Sequence, residues 1–214
     1  MAALDLVIDA FATAHGTCVI AEVSDDDLAR ALSLLPAAEQ AHAQTLTPPR
    51  RAELVRGRTA LHAALAQLAP DLLGAPLLRD DRGAPVMPPG WVGSVSHKGA
   101  RAAALVAPLD AARVGVDLER AAPSRLDISA RILTPRELST LPDRGRGTTL
   151  RFSIKEAIYK AVDPFVRRYV AFTEVELDVE EGVAHVTSAL PLAIETTWQE
   201  RDGFWLATAR AIQR

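Results

Sequence analysis

The helical and strand patterns of this chain follow one another in the same order twice, and this repeat restricts its fold most. In the first half, apolar spacing and turn residues predict three helices and two strands, at 24–35, 36–44, 47–70, 91–96 and 102–106. A break at Pro108-Leu109-Asp110 marks a joint between halves. The second half predicts a strand at 114–118, a helix that begins at Thr134 and a second helix at 148–162. Three further strands are predicted at 174–180, 183–188 and 193–210. The last strand is expected to bend at Asp202-Gly203, and no element is assigned to the first twenty residues.

Helices followed by strands, twice, predict an α+β fold of two similar lobes. Each lobe is expected to pack its helices on a small, mainly antiparallel sheet, and the likeness of the lobes predicts a pseudo-twofold relation. The expected lobes are residues 1–109 and 110–214, and 214 residues suffice for two lobes of about 100 each. Sequence identity between the halves is too low to prove a duplication.

Charge and composition exclude several classes of protein. The net charge of -3 is unlike that of a strongly basic nucleic-acid binder. No run of ~18 uncharged apolar residues is present, and no apolar leader follows a basic start. The single cysteine, Cys18, cannot form an internal disulfide, which fits a reducing compartment. We therefore expect a cytoplasmic protein with neither nucleic acid nor membrane as a partner.

Two short acidic segments carry the candidate chemistry. Asp117 and Glu119 stand two apart on a predicted strand, so both carboxylates project from one face. Glu156 and Lys160 stand four apart on a predicted helix and share a flank, while Lys155 lies on the opposite flank. Either segment alone also fits a solvated charged surface. Together, three carboxylates beside a lysine could hold a divalent cation against a substrate that carries phosphate.

These segments carry a resemblance to a known family. Gly-Val-Asp-Leu-Glu at 115–119 and Phe-Ser-Ile-Lys-Glu-Ala-Ile-Tyr-Lys at 152–160 resemble the two signature segments of the 4′-phosphopantetheinyl transferases. The likeness is to the two-lobed class and, within it, to the bacterial enterobactin-synthetase-activating type. Three N-terminal segments extend it, at 50–58, 79–85 and 93–97. The resemblance covers roughly residues 35–180.

The resemblance implies an activity and a catalytic site. Proteins of this family transfer the 4′-phosphopantetheine arm of coenzyme A to a serine of an apo acyl or peptidyl carrier protein, giving the holo carrier and 3′,5′-ADP. Asp117, Glu119 and Glu156 would bind Mg²⁺, with Mn²⁺ as the alternative. Glu156 would be the general base, either directly or through a metal-bound water, and Lys160 would neutralise charge on the pyrophosphate and the leaving group. Leu118 offers no ligand, so a backbone carbonyl or a water would complete the metal shell.

The resemblance also implies a set of residues that contact coenzyme A. They are Arg50, Arg58, Arg79, Arg82, Ser96, His97, Asp117, Lys155, Lys160 and Tyr169. Lys155 either touches a phosphate or covers the stem of its helix, and Tyr169 either lines the passage for the pantetheine arm or packs in the core. Arg167 and Arg168 are expected to help dock the carrier protein, by analogy with the family.

Two other functions stay open at this point. A non-catalytic carrier-binding module would keep the fold without turnover, although the complete set of Asp117, Glu119, Glu156 and Lys160 argues against it. A nucleotide hydrolase lacks support because the chain has no G-x-x-x-x-G-K-[ST] loop. The pathway of the carrier is also open among siderophore, nonribosomal peptide, polyketide and fatty-acid synthesis. Both lobes lie in one chain, so a monomer is expected.

Overall fold

The computed structural model describes residues 4–141 and 143–214. Contacts within the chain divide it into two units, Met1–Asp110 and Ala111–Arg214. This boundary lies one residue after the boundary between the expected lobes, 1–109 and 110–214. The first three residues of the predicted N-terminal lobe lie outside the described residues. In the described part, each unit combines helices with one antiparallel sheet, which confirms the predicted α+β class.

The N-terminal unit places one long helix across a four-stranded sheet. Its elements are β1 (Val7–Thr13), β2 (Gly16–Glu22), α1 (Leu28–Leu34), α2 (Ala37–Gln44), α3 (Pro48–Leu68), β3 (Trp91–Lys98) and β4 (Arg101–Pro108). The strands pair antiparallel in the order β1-β2-β4-β3. The apolar face of α3, including Leu61 and Leu65, packs with Val19, Ala104 and Val106 of the central strands. Burial of this face holds α3 on the sheet.

Two features of this unit differ from the prediction. Strands β1 and β2 were assigned no structure, although β1 alternates half-buried with exposed residues at the sheet edge and β2 buries residues 18–21 at its centre. The helix predicted from residue 24 begins at Leu28. Ser24 Oγ donates to Asp27 Oδ2 at 2.7 Å, and Asp27 N donates to Ser24 Oγ at 3.2 Å, so these residues form a turn before the helix.

The C-terminal unit packs a second long helix on a five-stranded sheet. Its elements are β5 (Arg113–Arg120), α4 (Ser129–Ile132), α5 (Pro135–Thr140), α6 (Arg146–Val166), β6 (Val175–Glu180), β7 (Val183–Ser188), β8 (Leu192–Arg201) and β9 (Phe204–Gln213). The strands are antiparallel in the order β5-β9-β8-β7-β6. Helix α6 is longer than the predicted 148–162 and lies against β5 and β9. In the described part of the chain, no helix is long and apolar enough to cross a membrane.

The predicted helix start at Thr134 is confirmed by a complete capping box. Thr134 N donates to Glu137 Oε2 at 2.7 Å, and Glu137 N donates to Thr134 Oγ1 at 3.3 Å. Pro135 occupies the first turn, where its missing N–H costs no helical hydrogen bond. The Thr-Pro-x-Glu sequence therefore fixes where α5 begins.

The prediction of one bent strand over 193–210 is wrong. Asp202 and Gly203 form a two-residue turn between β8 and β9, which pair from Arg201 with Phe204 outward. Both turn residues have positive φ, +48° for Asp202 and +76° for Gly203. Such a pair produces the tight turn that matches the twist of antiparallel strands, so the chain reverses instead of bending.

Candidate active site

Strand β5 presents its acidic residues on the face that α6 covers. Gly115, Asp117 and Glu119 alternate onto this face, opposite Ala209, Ala207 and Trp205 of β9. A Cβ added to Gly115 would overlap the carbonyl oxygen of Ala157 in α6. The absence of a side chain at Gly115 therefore lets the helix backbone lie directly on the strand, beside Asp117.

One apolar face of α6 is packed against the sheet of the C-terminal unit. Leu150, Ile154, Ala157, Ile158 and Ala161 all belong to the core of the C-terminal unit. Ser153 is fully buried, whereas Glu156 and Lys160 are half-buried at the edge of the covered face. Burial of the apolar face fixes the rotation of α6, and that rotation turns Glu156 and Lys160 toward β5.

Lys160 links the two acidic segments directly. Its Nζ donates to Asp117 Oδ1 at 2.8 Å and to the carbonyl oxygen of Val116 at 2.8 Å. Two of its three N–H groups are engaged in this way, so the third can donate to a ligand. Because Asp117 is buried, this charged partner offsets much of the cost of burying its carboxylate.

Glu156 lies in the electrostatic field of the β5 carboxylates. Burial raises the pKa of the Glu156 carboxyl above its ordinary value, and Asp117 raises it further. Lys160 opposes this rise, and Glu119 adds to it. The structure therefore places Asp117, Glu119, Glu156 and Lys160 near one another, while their proposed roles stay predictions.

The donors at this site have the chemistry of a hard divalent cation site. Asp117, Glu119 and Glu156 offer only carboxylate oxygens, which Mg²⁺ and Mn²⁺ prefer to the softer ligands that favour zinc. A cation would also relieve the repulsion that raises the pKa of Glu156. As the side chains stand, no three His, Cys, Asp or Glu residues within 4–141 and 143–214 are gathered closely enough to bind a metal. Lys160 supplies the positive charge next to Asp117 instead.

The predicted contact of Lys155 with a phosphate is not supported by its position. Its side chain is 2% exposed, and its Nζ donates to Glu137 Oε2, the Ile132 carbonyl and the Phe172 carbonyl at 2.7, 2.8 and 3.0 Å. All three N–H groups are therefore used inside the C-terminal unit. Lys155 lies on the flank opposite Glu156 and Lys160, as predicted, but that flank is buried and does not face solvent.

Two predicted phosphate ligands on α3 differ in their surroundings. Arg50 is exposed and pairs with Glu53 at 2.7 Å. Arg58 is 2% exposed, and its Nη2 donates to the carbonyl oxygen of Leu78 at 3.1 Å. Burial lowers the pKa of the Arg58 guanidinium to about 10, with Glu39 opposing the shift and Arg79 adding to it. The buried Nε of Arg58 has no hydrogen-bond partner among the described residues.

The other predicted ligands of the N-terminal unit lie on a turn and on β3. Arg79 and Arg82 are exposed on the turn, which Asp80 closes by accepting hydrogen bonds from Arg82 N and Ala84 N. Ser96 and His97 lie near the end of β3, with Ser96 buried and His97 half-buried. Glu53 Oε2 lies 3.9 Å from His97 Nε2.

The residues predicted beyond the catalytic helix are exposed. Tyr169 is 71% exposed, which overturns the alternative that it packs in the core. Arg167 ends α6 with a positive φ of 45°, and Arg168 forms a two-pronged ion pair with Glu174. The predicted contacts of these residues with the pantetheine arm and the carrier protein stay predictions.

The buried role of Glu137 was not predicted from the sequence. Its carboxylate completes the capping box at Thr134 and is also the buried partner of Lys155. A similar residue, Glu39 in α2, is buried in the N-terminal unit and accepts hydrogen bonds from Leu77 N and His62. The sequence signal for both residues was a glutamate at the third position of a helix that has a proline at or just before its start. A glutamate at this position commonly accepts hydrogen bonds from backbone N–H groups.

Comparison with known proteins matches both units of the chain. The family model described as the 4′-phosphopantetheinyl transferase N-terminal domain matches residues 38–107. The model described as the 4′-phosphopantetheinyl transferase superfamily matches residues 113–209. This range contains the four residues of the β5–α6 cluster, which are Asp117, Glu119, Glu156 and Lys160.

Curated relatives give the same result. The 4′-phosphopantetheinyl transferase Svp of Streptomyces mobaraensis is 36% identical over 167 residues, covering 74% of this chain and 67% of that protein. Enterobactin synthase component D of Salmonella typhimurium is 28% identical over 181 residues, covering 77% and 74%. Among solved structures, the holo-(acyl-carrier-protein) synthase of Bacillus anthracis in complex with CoA (3′,5′-ADP) shares 20% identity. It covers 47% of this chain and 96% of that chain, with a TM-score of 0.40.

Proposed function

Because the chain belongs to the 4′-phosphopantetheinyl transferase superfamily, we propose that it transfers the 4′-phosphopantetheine arm of coenzyme A to a carrier protein. The acceptor is the hydroxyl of a serine on an apo acyl or peptidyl carrier protein. The serine oxygen forms a bond to the β-phosphorus of coenzyme A, the pyrophosphate bond breaks, and 3′,5′-ADP leaves. The observation that carries this proposal is the convergence of Asp117, Glu119, Glu156 and Lys160 within the matched region.

The proton of the serine hydroxyl goes to Glu156. Burial and the neighbouring carboxylates raise the pKa of this group, so it is a stronger base than an exposed glutamate. Lys160 opposes part of this rise in the pKa. Glu156 therefore serves as the general base.

Lys160 stabilises the charge that develops on the pyrophosphate. Its two bonds to β5 hold the ammonium group in place before substrate arrives, so little reorganisation is needed during the reaction. Its third N–H is then available to an oxygen of the breaking pyrophosphate bond.

The same carboxylates are proposed to hold the metal. Asp117, Glu119 and Glu156 would bind Mg²⁺, which when bound supplies positive charge to the pyrophosphate oxygens. This choice of Mg²⁺ rests on the oxygen-only set of donors and on the repulsion among them.

The N-terminal unit is proposed to contribute basic groups that bind coenzyme A. Arg79 and Arg82 are exposed on their turn and are suited to phosphate oxygens or the adenine. Arg58 is buried, so its contact with phosphate would require its side chain to leave the Leu78 carbonyl, and Arg50 and His97 would exchange their contacts with Glu53 for the ligand. A monomeric, cytoplasmic enzyme is part of the same proposal.

Incubation of an apo carrier protein with coenzyme A and Mg²⁺ tests this function. We expect intact-protein mass spectrometry to show the gain of one phosphopantetheine arm, with 3′,5′-ADP as the second product. A carrier whose acceptor serine is changed to alanine is the control and should gain nothing. Binding of apo carriers without any mass gain across a panel would support the non-catalytic module instead. Initial rates across that panel would identify the preferred carrier class.

A further inference from the structure

The environment of Lys155 is that of a structural junction. Its side chain leaves α6 and reaches the end of α4, the start of α5 and the segment before β6. A lysine ammonium group has three N–H donors, and each has an acceptor within 3.0 Å. Burial lowers the pKa of Lys155, and the bond to Glu137 opposes this shift.

Glu137 completes the junction from the other side. Its Oε2 accepts from Thr134 N at 2.7 Å as well as from Lys155, and its Oε1 accepts from Leu177 N at 3.1 Å. One fully buried carboxylate thus joins α5, α6 and β6. Removing either charge alone would leave the other buried without its partner, which is strongly destabilising.

The N-terminal unit contains a similar arrangement. Glu39 lies at the third position of α2, accepts from the backbone N–H of Leu77, and pairs with His62 of α3 at 2.9 Å. In both units, a buried glutamate near the start of a short helix therefore joins the long helix to a backbone N–H further along the chain. This recurrence indicates a device that sets the position of the long helix.

We propose that Lys155 and Glu137 are positioning residues that hold α6 so that Glu156 and Lys160 meet the carboxylates of β5. The proposal rests on the proposed function. Lys155 directly precedes Glu156, so its three bonds act one residue away from the general base. The other flank of α6 is held by the close approach of Ala157 to Gly115 and by the bonds of Lys160. Release of the Lys155 flank would let α6 shift, and a displacement of about 1 Å at a catalytic group can lower the rate about 100-fold.

Three variants of the full chain test this proposal: Lys155→Met, Glu137→Gln and the double variant. We expect each single variant to lower kcat about tenfold or more, with KM and the calorimetric Kd for coenzyme A within about twofold of the wild type. Because the two side chains act as one unit, the double variant should lose no more than the worse single variant. Its Tm should exceed that of Lys155→Met, since no unpaired buried charge remains.

Two controls separate positioning from other roles. Thr196→Val removes a buried hydrogen bond from β8 to the Ala184 carbonyl of β7, and β8 is two strands away from β5, so the change should lower Tm without changing kcat at temperatures below unfolding. Lys160→Met should lower kcat by the same factor whether it is introduced into the wild type or into Glu137→Gln. If Lys155→Met does not fold, Glu137→Gln and the double variant decide the question by the same criteria.

Two results would overturn the proposal. A Kd for coenzyme A that rises about tenfold in Lys155→Met but not in Glu137→Gln would make Lys155 a phosphate ligand. Loss of Tm with unchanged kcat in the single variants, as for Thr196→Val, would leave the pair a packing role only. If the wild-type protein shows no transfer, the proposed function itself fails, so the two failures are distinguishable.

Discussion

Burial and three neighbouring charges, those of Asp117, Lys160 and Glu119, all act on the pKa of Glu156. Its position beside Lys155 in the sequence suggests two charged groups with related tasks, yet one faces β5 and the other is fully buried. The pattern of residues predicted the direction in which each side chain leaves the helix. It could not predict which flank would be covered, because that depends on α4, α5 and the segment before β6.

Glu156→Gln should lower the rate of transfer by about 100-fold or more while leaving the fold intact. Glutamine keeps the size of the side chain but removes the base, and general bases contribute about 10²–10⁴ to rate. Circular dichroism and the transfer assay are the measurements. Glu181→Gln, on an exposed turn, is the matched control and should retain full activity. Activity of Glu156→Gln within about threefold of the wild type would remove Glu156 from the mechanism.

At the scale of elements, turn chemistry and helix starts were predictable where local residues decide them. The capping box at Thr134 and Glu137 fixed the start of α5. The Asp202-Gly203 pair was recognised as a break, but its reading as a bend failed because a reversal depends on pairing between β8 and β9. Strand β1 was missed because its sequence, Val-Ile-Asp-Ala-Phe-Ala-Thr, does not alternate apolar with polar residues, although the burial of its side chains does alternate.

Gly115→Ala should both destabilise the protein and lower its activity. The added Cβ would overlap the carbonyl oxygen of Ala157, and backbone in the middle of a helix cannot move aside alone. Overpacking of this kind costs about 1–3 kcal/mol, and the displaced α6 would carry Glu156 away from Asp117. Urea unfolding and the transfer assay measure the two effects. Gly57→Ala is the control and should destabilise the protein less than Gly115→Ala. Its Cβ would meet only the Val95 side chain, with Cγ2 at 3.1 Å and Cγ1 at 4.0 Å, and alanine favours a helix.

The ion pair between Arg168 and Glu174, in the short segment after α6, should stabilise the protein less as the pH falls. The two-pronged bond from Arg168, followed by the bond from Ala171 N, lowers the pKa of Glu174 from 4.5 to about 2. Because the folded-state pKa is depressed, this stabilisation is present above the unfolded value of 4.5. It is lost as pH falls toward 2.

Comparison of Tm between the wild type and Glu174→Gln at two pH values tests this window. The wild type should be more stable at pH 6, and the difference should narrow at about pH 3.5, where the unfolded chain but not the folded one takes up the proton. A difference that stays constant between the two pH values would show that the bond does not depend on the charge of Glu174.

At the scale of the whole molecule, the repeat of elements predicted two α+β units, while side-chain patterns identified the β5–α6 cluster. The buried state of Arg58 was not predictable. An arginine on a helix ordinarily reaches solvent, and only the path of the chain past Leu78 provides an acceptor that holds it inside. Long-range contacts of this kind leave no local pattern in the sequence.

Coenzyme A with Mg²⁺ should raise the Tm of the full chain. Predicted ligands occur in both units, and a ligand at about 100 times its Kd stabilises the folded state by about 2.7 kcal/mol. For a chain of this size, that corresponds to a rise of about 5–10 °C in differential scanning calorimetry. Mg²⁺ without coenzyme A should give a smaller rise, since only the carboxylates of Asp117, Glu119 and Glu156 would hold it.

The variants Glu156→Gln and Arg79→Ala divide this stabilisation into its parts. Glu156→Gln should lose most of the increment that Mg²⁺ adds while retaining the one due to coenzyme A. Arg79→Ala should reduce the coenzyme A increment and leave the effect of Mg²⁺ unchanged, because Arg79 is exposed and the metal is proposed to bind at β5 and α6. Equal losses of both increments in the two variants would contradict the separate assignments. Retention of both increments in Glu156→Gln would exclude its carboxylate as a metal ligand, since the calorimetric readout does not require turnover.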